Sequence, residues 1–374
     1  MKVLITQKII GIAGSENYLL QLVKGLAERD VDVEFLSLVP KGLKGSEEVF
    51  NDKISELDVK VHTIYYSFPF FNTLQAIARL IKTKEYDLVH SHLIHADLLL
   101  AIAKKYFTKF KLVSSKHGYQ EWYNNKFGFD PKFKIKNSYW RLARWAEKQM
   151  DRSFAISKGL QNLYVGLGIC KNEKLELIHY GFNFPDIFNT GKYRFSEYQL
   201  AIVGRLTAFK GHRYAIEALE IIKNKFSDLQ LVVVGSGTLE EELKKLVSSK
   251  GLTPQVKFMG YNSDVREIMA DSDVVLIPSI AEGFGVVVLE AFRSGKPIVA
   301  FNVPSLNEHI VHNHSGILVK PFDINAYASA IEELLTNKEK SNKLAKNGTE
   351  KLSNDYNFNL MMSRTIEFYQ KVVH

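Results

Sequence analysis

Short apolar segments alternate with amphipathic helical stretches from one end of this chain to the other, and that alternation admits few folds. The strand candidates of the first half are residues 3–6 (VLIT), 33–38, 59–66, 87–91, 111–115 and 153–157. Helical patterns lie between them, over 15–29, 72–84 and 95–107 among others. Ser15 is placed to cap the first of these, because its hydroxyl can accept an orphan backbone N–H. The pattern lapses near 184–197, where Pro185 and Gly191 act as breakers. It restarts with 199–204, 229–235, 256–260, 273–278, 297–301 and 316–319, and three more helical stretches close the chain. Strands separated by helices predict parallel βαβ units, hence an α/β chain of doubly wound sheets. At 374 residues the chain exceeds one ordinary core. The expected division is a domain over 1–184, a linker over 185–197, a second domain over 198–354 and a final helix over 355–374 that could cross back to the first domain. Two such domains facing one another would hold a ligand between the carboxyl ends of their sheets.

Charge separates the halves. Residues 1–195 hold 29 basic and 20 acidic side chains, residues 196–374 hold 20 and 21, and residues 101–160 alone hold 14 and 4. Such an excess suits a phosphate-bearing or anionic-membrane partner, or else a solvated basic face. No zinc module or aromatic–basic recognition motif accompanies it, so nucleic acid is not expected. The single cysteine, Cys170, excludes a disulfide scaffold. No apolar run reaches the ~18 residues of a membrane span. Lys8 interrupts the N-terminal segment, which reads as a buried strand rather than a signal peptide. A cytoplasmic chain, peripheral at most on the inner face of a membrane, is the expectation.

The second half carries the chemistry. After strand 199–204 come Arg205 and, five residues on, Lys210-Gly211 ahead of a helix. A guanidinium fork and a compact ammonium at a strand's carboxyl end can meet a diphosphate. Gly235-Ser236-Gly237 follows the next strand, but Glu240 stands where a dinucleotide fingerprint needs glycine, so this is a tight turn that lets backbone approach a ligand. The most informative stretch is 278–300, PSIAEGFGVVVLEAFRSGKPIVA. Glu282 lies in a loop after a strand, Gly283 and Gly285 flank Phe284, and Glu290 falls inside the helix that follows. The two carboxylates can grip different parts of one ligand, and carboxylates accept paired hydrogen bonds from vicinal hydroxyls. Glycines at a helix N-terminus favour a phosphate.

Glu282 and Glu290 within EGFGVVVLEA, together with VGRL and Lys210-Gly211, resemble the pattern of glycosyltransferase family 4. GIAGSE (11–16) resembles that family's glycine-rich acceptor-side loop, and His117-Gly118 its His-Gly element. The resemblance covers essentially the whole chain. It implies the GT-B fold of two Rossmann-like domains and retaining transfer of a sugar from a nucleoside diphosphate donor, without an obligatory metal; no other cofactor is expected, and UDP is placed ahead of GDP as a separate expectation. The implied acceptor is a saccharide or lipid-linked sugar in surface polysaccharide, lipopolysaccharide or glycolipid synthesis. It further implies that Arg205 and Lys210 hold the diphosphate and that Glu282 holds the donor sugar, with the backbone of Gly283, Phe284 and Gly285 beside it. Glu290 should bind the ribose, His117 should sit over the sugar, Gly14 should let its loop approach the phosphates, and Tyr261 should meet the base. Gly235 and Val286 complete the implied donor set, with His117, Arg205, Lys210 and Glu282 its catalytic members. Two departures stand out: Asn302-Val303-Pro304-Ser305 where relatives carry Gly-x-Pro-Glu, and Tyr180-Gly181 where Asn-Gly is common.

The leaving group sets the expected mechanism. Negative charge grows on the phosphate as the sugar becomes oxocarbenium-like, and preorganised cations stabilise that charge most in the transition state. Front-face retention, with the departing phosphate taking the acceptor proton, requires neither glutamate as nucleophile. Three rivals remain in view: a two-carboxylate glycoside hydrolase, a nucleotide-sugar epimerase of the same architecture, and a non-catalytic nucleotide-sugar-binding or membrane-scaffold protein. The histidines at 90, 92 and 95 and at 309, 312 and 314 resemble metal clusters but lack a partner pattern, and the first set suits an acceptor cleft better. Trp140, Arg141, Arg144 and Trp145, with Lys104, Lys105, Lys109, Lys132, Lys134 and Lys136, suggest either helix packing or a membrane-facing surface.

Overall fold

The computed structural model describes residues 1–12, 14–118, 138–183 and 191–374. They fall into two units, one holding the described residues up to Phe182 together with Phe358–His374, the other Asn183–Asn357.

The first unit is a seven-stranded parallel sheet: β1 (Lys2–Lys8), β2 (Asp32–Pro40), β3 (Lys60–Tyr66), β4 (Leu88–His92), β5 (Leu112–Lys116), β6 (Arg152–Ala155) and β7 (Leu175–Leu177). Its order is β3-β2-β1-β4-β5-β6-β7, so the winding reverses between β1 and β4. The interior strands are buried along nearly their whole length, which is why they read as apolar runs rather than as alternation. Helices α1 (Gly14–Ala27), α2 (Glu48–Ser55), α3 (Phe71–Lys84), α4 (Leu93–Tyr106), α5 (Ser138–Glu147) and α6 (Lys158–Gly166) connect them. Ser15 lies inside α1 rather than before it, and its hydroxyl donates to the Glu16 carboxylate at 3.1 Å. That corrects the expected cap: the helix starts one residue earlier, at Gly14.

The second unit repeats the plan with β8 (Tyr198–Val203), β9 (Leu229–Val234), β10 (Val256–Phe258), β11 (Val274–Ile277), β12 (Ile298–Phe301) and β13 (Ile317–Val319). The order is β10-β9-β8-β11-β12-β13, with the reversal between β8 and β11. Its helices are α7 (His212–Ile222), α8 (Glu240–Ser249), α9 (Val265–Ala270), α10 (Val286–Arg293), α11 (Leu306–His309), α12 (Ile324–Thr336) and α13 (Lys338–Asp355). Of the predicted linker, residues 185–190 lie outside the described residues. The backbone N–H groups of Gly191 and Tyr193 donate to the Asp271 carboxylate, which ties the described part to the second unit. The last helix, α14 (Phe358–Val373), belongs to the first unit. Its Tyr369 hydroxyl meets His90 Nδ1 at 2.6 Å, and Gly25 of α1 leaves room for Phe358 and Met362, whose atoms would lie within 3 Å of an added Cβ.

Candidate active site

In open parallel sheets ligands bind outside the carboxyl ends of the strands where the winding reverses. In the second unit that place lies between the loops after β8 and β11. Those loops are fastened to each other. Ile280 N donates to Phe209 O at 2.8 Å and joins the two, while Leu206 N to Ser236 O at 3.0 Å and Gly235 N to Gly260 O at 2.7 Å tie in the loops after β9 and β10. Two glycines make the approach possible. Gly211 (φ +75°) would place a Cβ 1.9 Å from Pro278 O, and Gly235 (φ +134°) would place one 2.0 Å from Gly204 O. No larger residue fits either position.

The fastening brings the charged side chains together. Lys210 Nζ lies 2.6 Å from Glu282 Oε1, with the carboxylate almost wholly buried. Arg205 and Lys210 both lie against the Phe209 ring, at 5.8 and 5.7 Å from its centroid. Phe209 is buried, so it serves as a fixed platform for two cations. Glu290 is half-buried on the second turn of α10. Desolvation pushes its carboxyl above the usual carboxylate range, against the opposing pull of Arg266 and Lys210. A pocket of about 200 Å³ opens beside them, lined by Val203, Gly204, Arg205, Gly235, Tyr261 and Val265 among others. Tyr261 is 84% exposed at its mouth.

The Gly283–Gly285 loop is held from behind by residues the sequence reading had not credited. His309 Nε2 lies 2.6 Å from Phe284 O while its Nδ1 meets the Tyr356 hydroxyl at 2.6 Å. Ser305 Oγ donates to Gly283 O at 3.1 Å. The Phe284 ring faces inward against His309 and Tyr356, so only its backbone can face a ligand. Gly285 (φ +87°) then starts α10 at Val286 with no side-chain cap; Val288 N donates to Gly285 O at 2.9 Å, while the N–H groups of Val286 and Val287 have no intrahelical partner. His309 thus holds a loop, and its distance of 25 residues from Phe284 left no local signal in the sequence. Ser305, where relatives carry glutamate, spends its hydroxyl on that same loop and sits at φ +72°.

Gly14 and His117 belong to the first unit. Gly14 opens α1 with no atom within 4 Å of an added Cβ. His117 lies in a cluster at the carboxyl ends of β4 and β5. Its Nε2 is 2.7 Å from His92 Nδ1, and its Nδ1 meets the Tyr180 hydroxyl. Tyr18 stacks on Tyr180 at 4.2 Å. Burial, with a smaller contribution from Lys116, lowers the His117 pKa to about 3, so the ring is neutral. His90 and His92 are fully buried, which corrects the expectation that they line an acceptor cleft. His90 instead bonds Ser115 Oγ at 2.5 Å and Tyr369. Beneath this cluster Lys116 pairs with Asp97 at 2.9 Å and Glu147 at 2.7 Å, all three buried. Their charge raises the Lys116 pKa although burial alone would lower it.

The basic region resolves in part. Trp140 is buried, Trp145 half-buried beneath Lys105, and Arg144 bonds the carbonyls of Leu167 and Gly168 at 2.7 and 2.9 Å. These three side chains serve packing and the end of α6, which corrects the membrane-facing alternative for them. Lys132, Lys134 and Lys136 lie outside the described residues.

Comparison with known proteins agrees with this geometry. The family model "Glycosyltransferase Family 4" matches residues 12–184, and "Glycosyl transferases group 1" matches residues 186–351. The chain belongs to glycosyltransferase family 4 and has its GT-B fold. An alpha-D-kanosaminyltransferase of Streptomyces kanamyceticus is 34% identical over 147 residues, covering 39% of this chain and 38% of that one. A UDP-Gal:alpha-D-GlcNAc-diphosphoundecaprenol alpha-1,3-galactosyltransferase of Escherichia coli is 24% identical over 314 residues, 80% of this chain and 79% of that one. Among solved structures, HepE of Anabaena in complex with UDP superposes with a TM-score of 0.81 at 21% identity, over 99% of this chain and 100% of that one. Among the described residues no helix is long and apolar enough to cross a membrane.

Proposed function

We propose that this protein transfers a hexosyl or N-acetylhexosaminyl group, with retention of anomeric configuration, from a UDP-sugar to a saccharide or lipid-linked acceptor. The observation that carries the reading is the set Arg205, Lys210, Glu282 and the uncapped start of α10, gathered where the winding of the second sheet reverses. Arg205 and Lys210 meet the diphosphate as it departs, helped by the helix N-terminus at Val286. That cationic set meets the diphosphate charge without a metal ion. Glu282 accepts from sugar hydroxyls and Glu290 from the ribose. The pocket at Tyr261 and Gly235 takes the base. The choice of UDP is supported by the E. coli relative named for UDP-Gal and by the Anabaena structure with UDP.

For Gly14 and His117 we carry forward the donor-facing role that family membership implies. In the present geometry both His117 ring nitrogens are taken, so it would exchange one partner to meet a sugar. The acceptor proton passes to the departing phosphate, since Glu282 is committed to Lys210 and neither glutamate is needed as nucleophile. Surface polysaccharide, lipopolysaccharide or glycolipid assembly, at the cytoplasmic face of a membrane reached through the basic surface of residues 101–160, is the setting we infer.

The test is product analysis with UDP-glucose, UDP-galactose and UDP-N-acetylglucosamine and a panel of lipid-linked and free saccharides, read by proton NMR. An α-linked product with UDP released supports the reading. A β-linked product contradicts retention, and an altered UDP-sugar without acceptor indicates an epimerase.

A further inference from the structure

Of the exposed aromatic side chains among the described residues, Tyr261 and Phe322 lie in the second unit and three lie in the first: Phe68 is 85% exposed, Phe71 57% and Tyr106 66%. The contacts connect them. Phe68 packs edge-on to Phe70 at 5.9 Å, and the next residue, Phe71, packs on Phe107 at 5.9 Å. Lys105 covers both Tyr106 and Trp145, at 5.3 and 5.4 Å from their rings. Leu142 of α5 is a further exposed apolar side chain among these helices. Nothing in the fold requires this exposure, since Phe70, Phe107 and Trp145 already close the core below.

The charge around the patch is predominantly of one sign. Residues 67–84 and 104–111 carry seven basic side chains and no acidic one. The acidic residues of α4 and α5, Asp97 and Glu147, are buried on Lys116. Asp151 is taken by Lys104 and by Leu112 N, and Asp87 by Lys2 N. Glu85, at the end of α3, and Asp87 are the exposed carboxylates beside it among the described residues. Arg79, Lys82, Lys105, Lys109 and Arg141 are exposed on the same elements, Lys105 over the Tyr106 ring, and outnumber the two exposed carboxylates among the described residues. A second copy of this face would be repelled by it, whereas an anionic bilayer offers negative headgroups to the cations and an interface to the rings.

We propose that the face formed by α3, the end of α4 and α5 docks on an anionic membrane, with Phe68, Phe71 and Tyr106 entering the headgroup region and the surrounding lysines and arginines bound to phosphates. The surface differs from the one residue composition suggested. Its rings come from residues 68–107 rather than from the tryptophans of α5. The proposal deepens the membrane reading of the basic region and rests on it, but is independent of the donor chemistry.

The experiment is co-sedimentation with phosphatidylcholine vesicles, alone or with one third phosphatidylglycerol. It compares the full chain with the double variant Phe68→Ser/Phe71→Ser and the triple variant Lys82→Glu/Lys105→Glu/Lys109→Glu. UDP binding is measured in parallel on all three. Wild type should bind the anionic vesicles, release them with rising salt and ignore the neutral ones. At about 1 kcal/mol per basic residue, reversing three charges should weaken binding at least ~100-fold. The double variant should weaken it about tenfold or more and flatten what salt leaves behind. Equal binding to neutral vesicles, no binding, or undiminished binding by both variants overturns the proposal, as does retention on RNA without vesicle binding. Because all five substituted positions are exposed and outside the donor site, UDP binding should persist in both variants. Its absence in wild type as well would instead count against the donor reading.

Discussion

Lys210 and Glu282 neutralise each other at 2.6 Å, and the proposed roles assign them to different parts of the donor. Lys210→Met should lower kcat by ~100-fold, the typical cost of about 3 kcal/mol for one preorganised donor to developing charge, and should also weaken UDP binding. Glu282→Gln should lower kcat comparably while sparing UDP itself, because its partner is the sugar. Steady-state kinetics with UDP calorimetry separates the two. Glu290 makes a sharper prediction. Its carboxyl pKa is raised by desolvation, so the folded state favours the proton. Folding therefore loses stability as pH rises from the ordinary carboxylate value through the raised one, and the penalty is complete at higher pH. Glu290→Gln should raise Tm at pH 8 while weakening nucleotide binding. Wild-type affinity should fall on acidification at a higher pH than an ordinary carboxylate would give. A lower Tm for the variant at pH 8 would show that the carboxylate is held by partners rather than strained by burial.

At the scale of elements, the site depends on loops pressed against one another. Gly211→Ala must accept φ +75° and a carbonyl 1.9 Å from its new Cβ. A cost of at least about 2 kcal/mol is expected, with kcat falling further than a mere loss of folded protein explains. In the first unit, Lys116→Met would strand Asp97 and Glu147 in the interior. The expected loss is about 3–5 kcal/mol, visible in urea unfolding. Legibility followed the same division. Arg205, Lys210, Glu282 and Gly285 could be singled out as candidates because strand, loop and helix start are consecutive in the chain. His309 and Tyr356 could not, since they reach the loop only through tertiary packing. Strand β7, three residues long, and helix α2 carried too short a pattern to separate from a loop. Tyr180 read as a departure from an expected asparagine, and in the structure its ring stacks on Tyr18 while its hydroxyl meets His117.

At the scale of the whole molecule, the parallel order of both sheets followed from apolar strands spaced by helices, and the candidate donor residues of the second unit gather where its winding reverses. Charge is divided as well: the basic excess falls in residues 1–195, while Arg205, Lys210, Glu282 and Glu290 fall in the nearly balanced remainder. The central claim is that the second unit is a UDP-sugar site. The most direct measurement is thermal unfolding of wild type and Glu290→Ala across UDP, GDP, ADP and their common sugars. A ligand at ~100 times its dissociation constant adds about 2.7 kcal/mol to the native state. The account predicts that UDP and a UDP-sugar stabilise the wild type and that the variant loses most of the shift. An unshifted wild type, or a shift from every nucleotide that Glu290→Ala keeps in full, would contradict it.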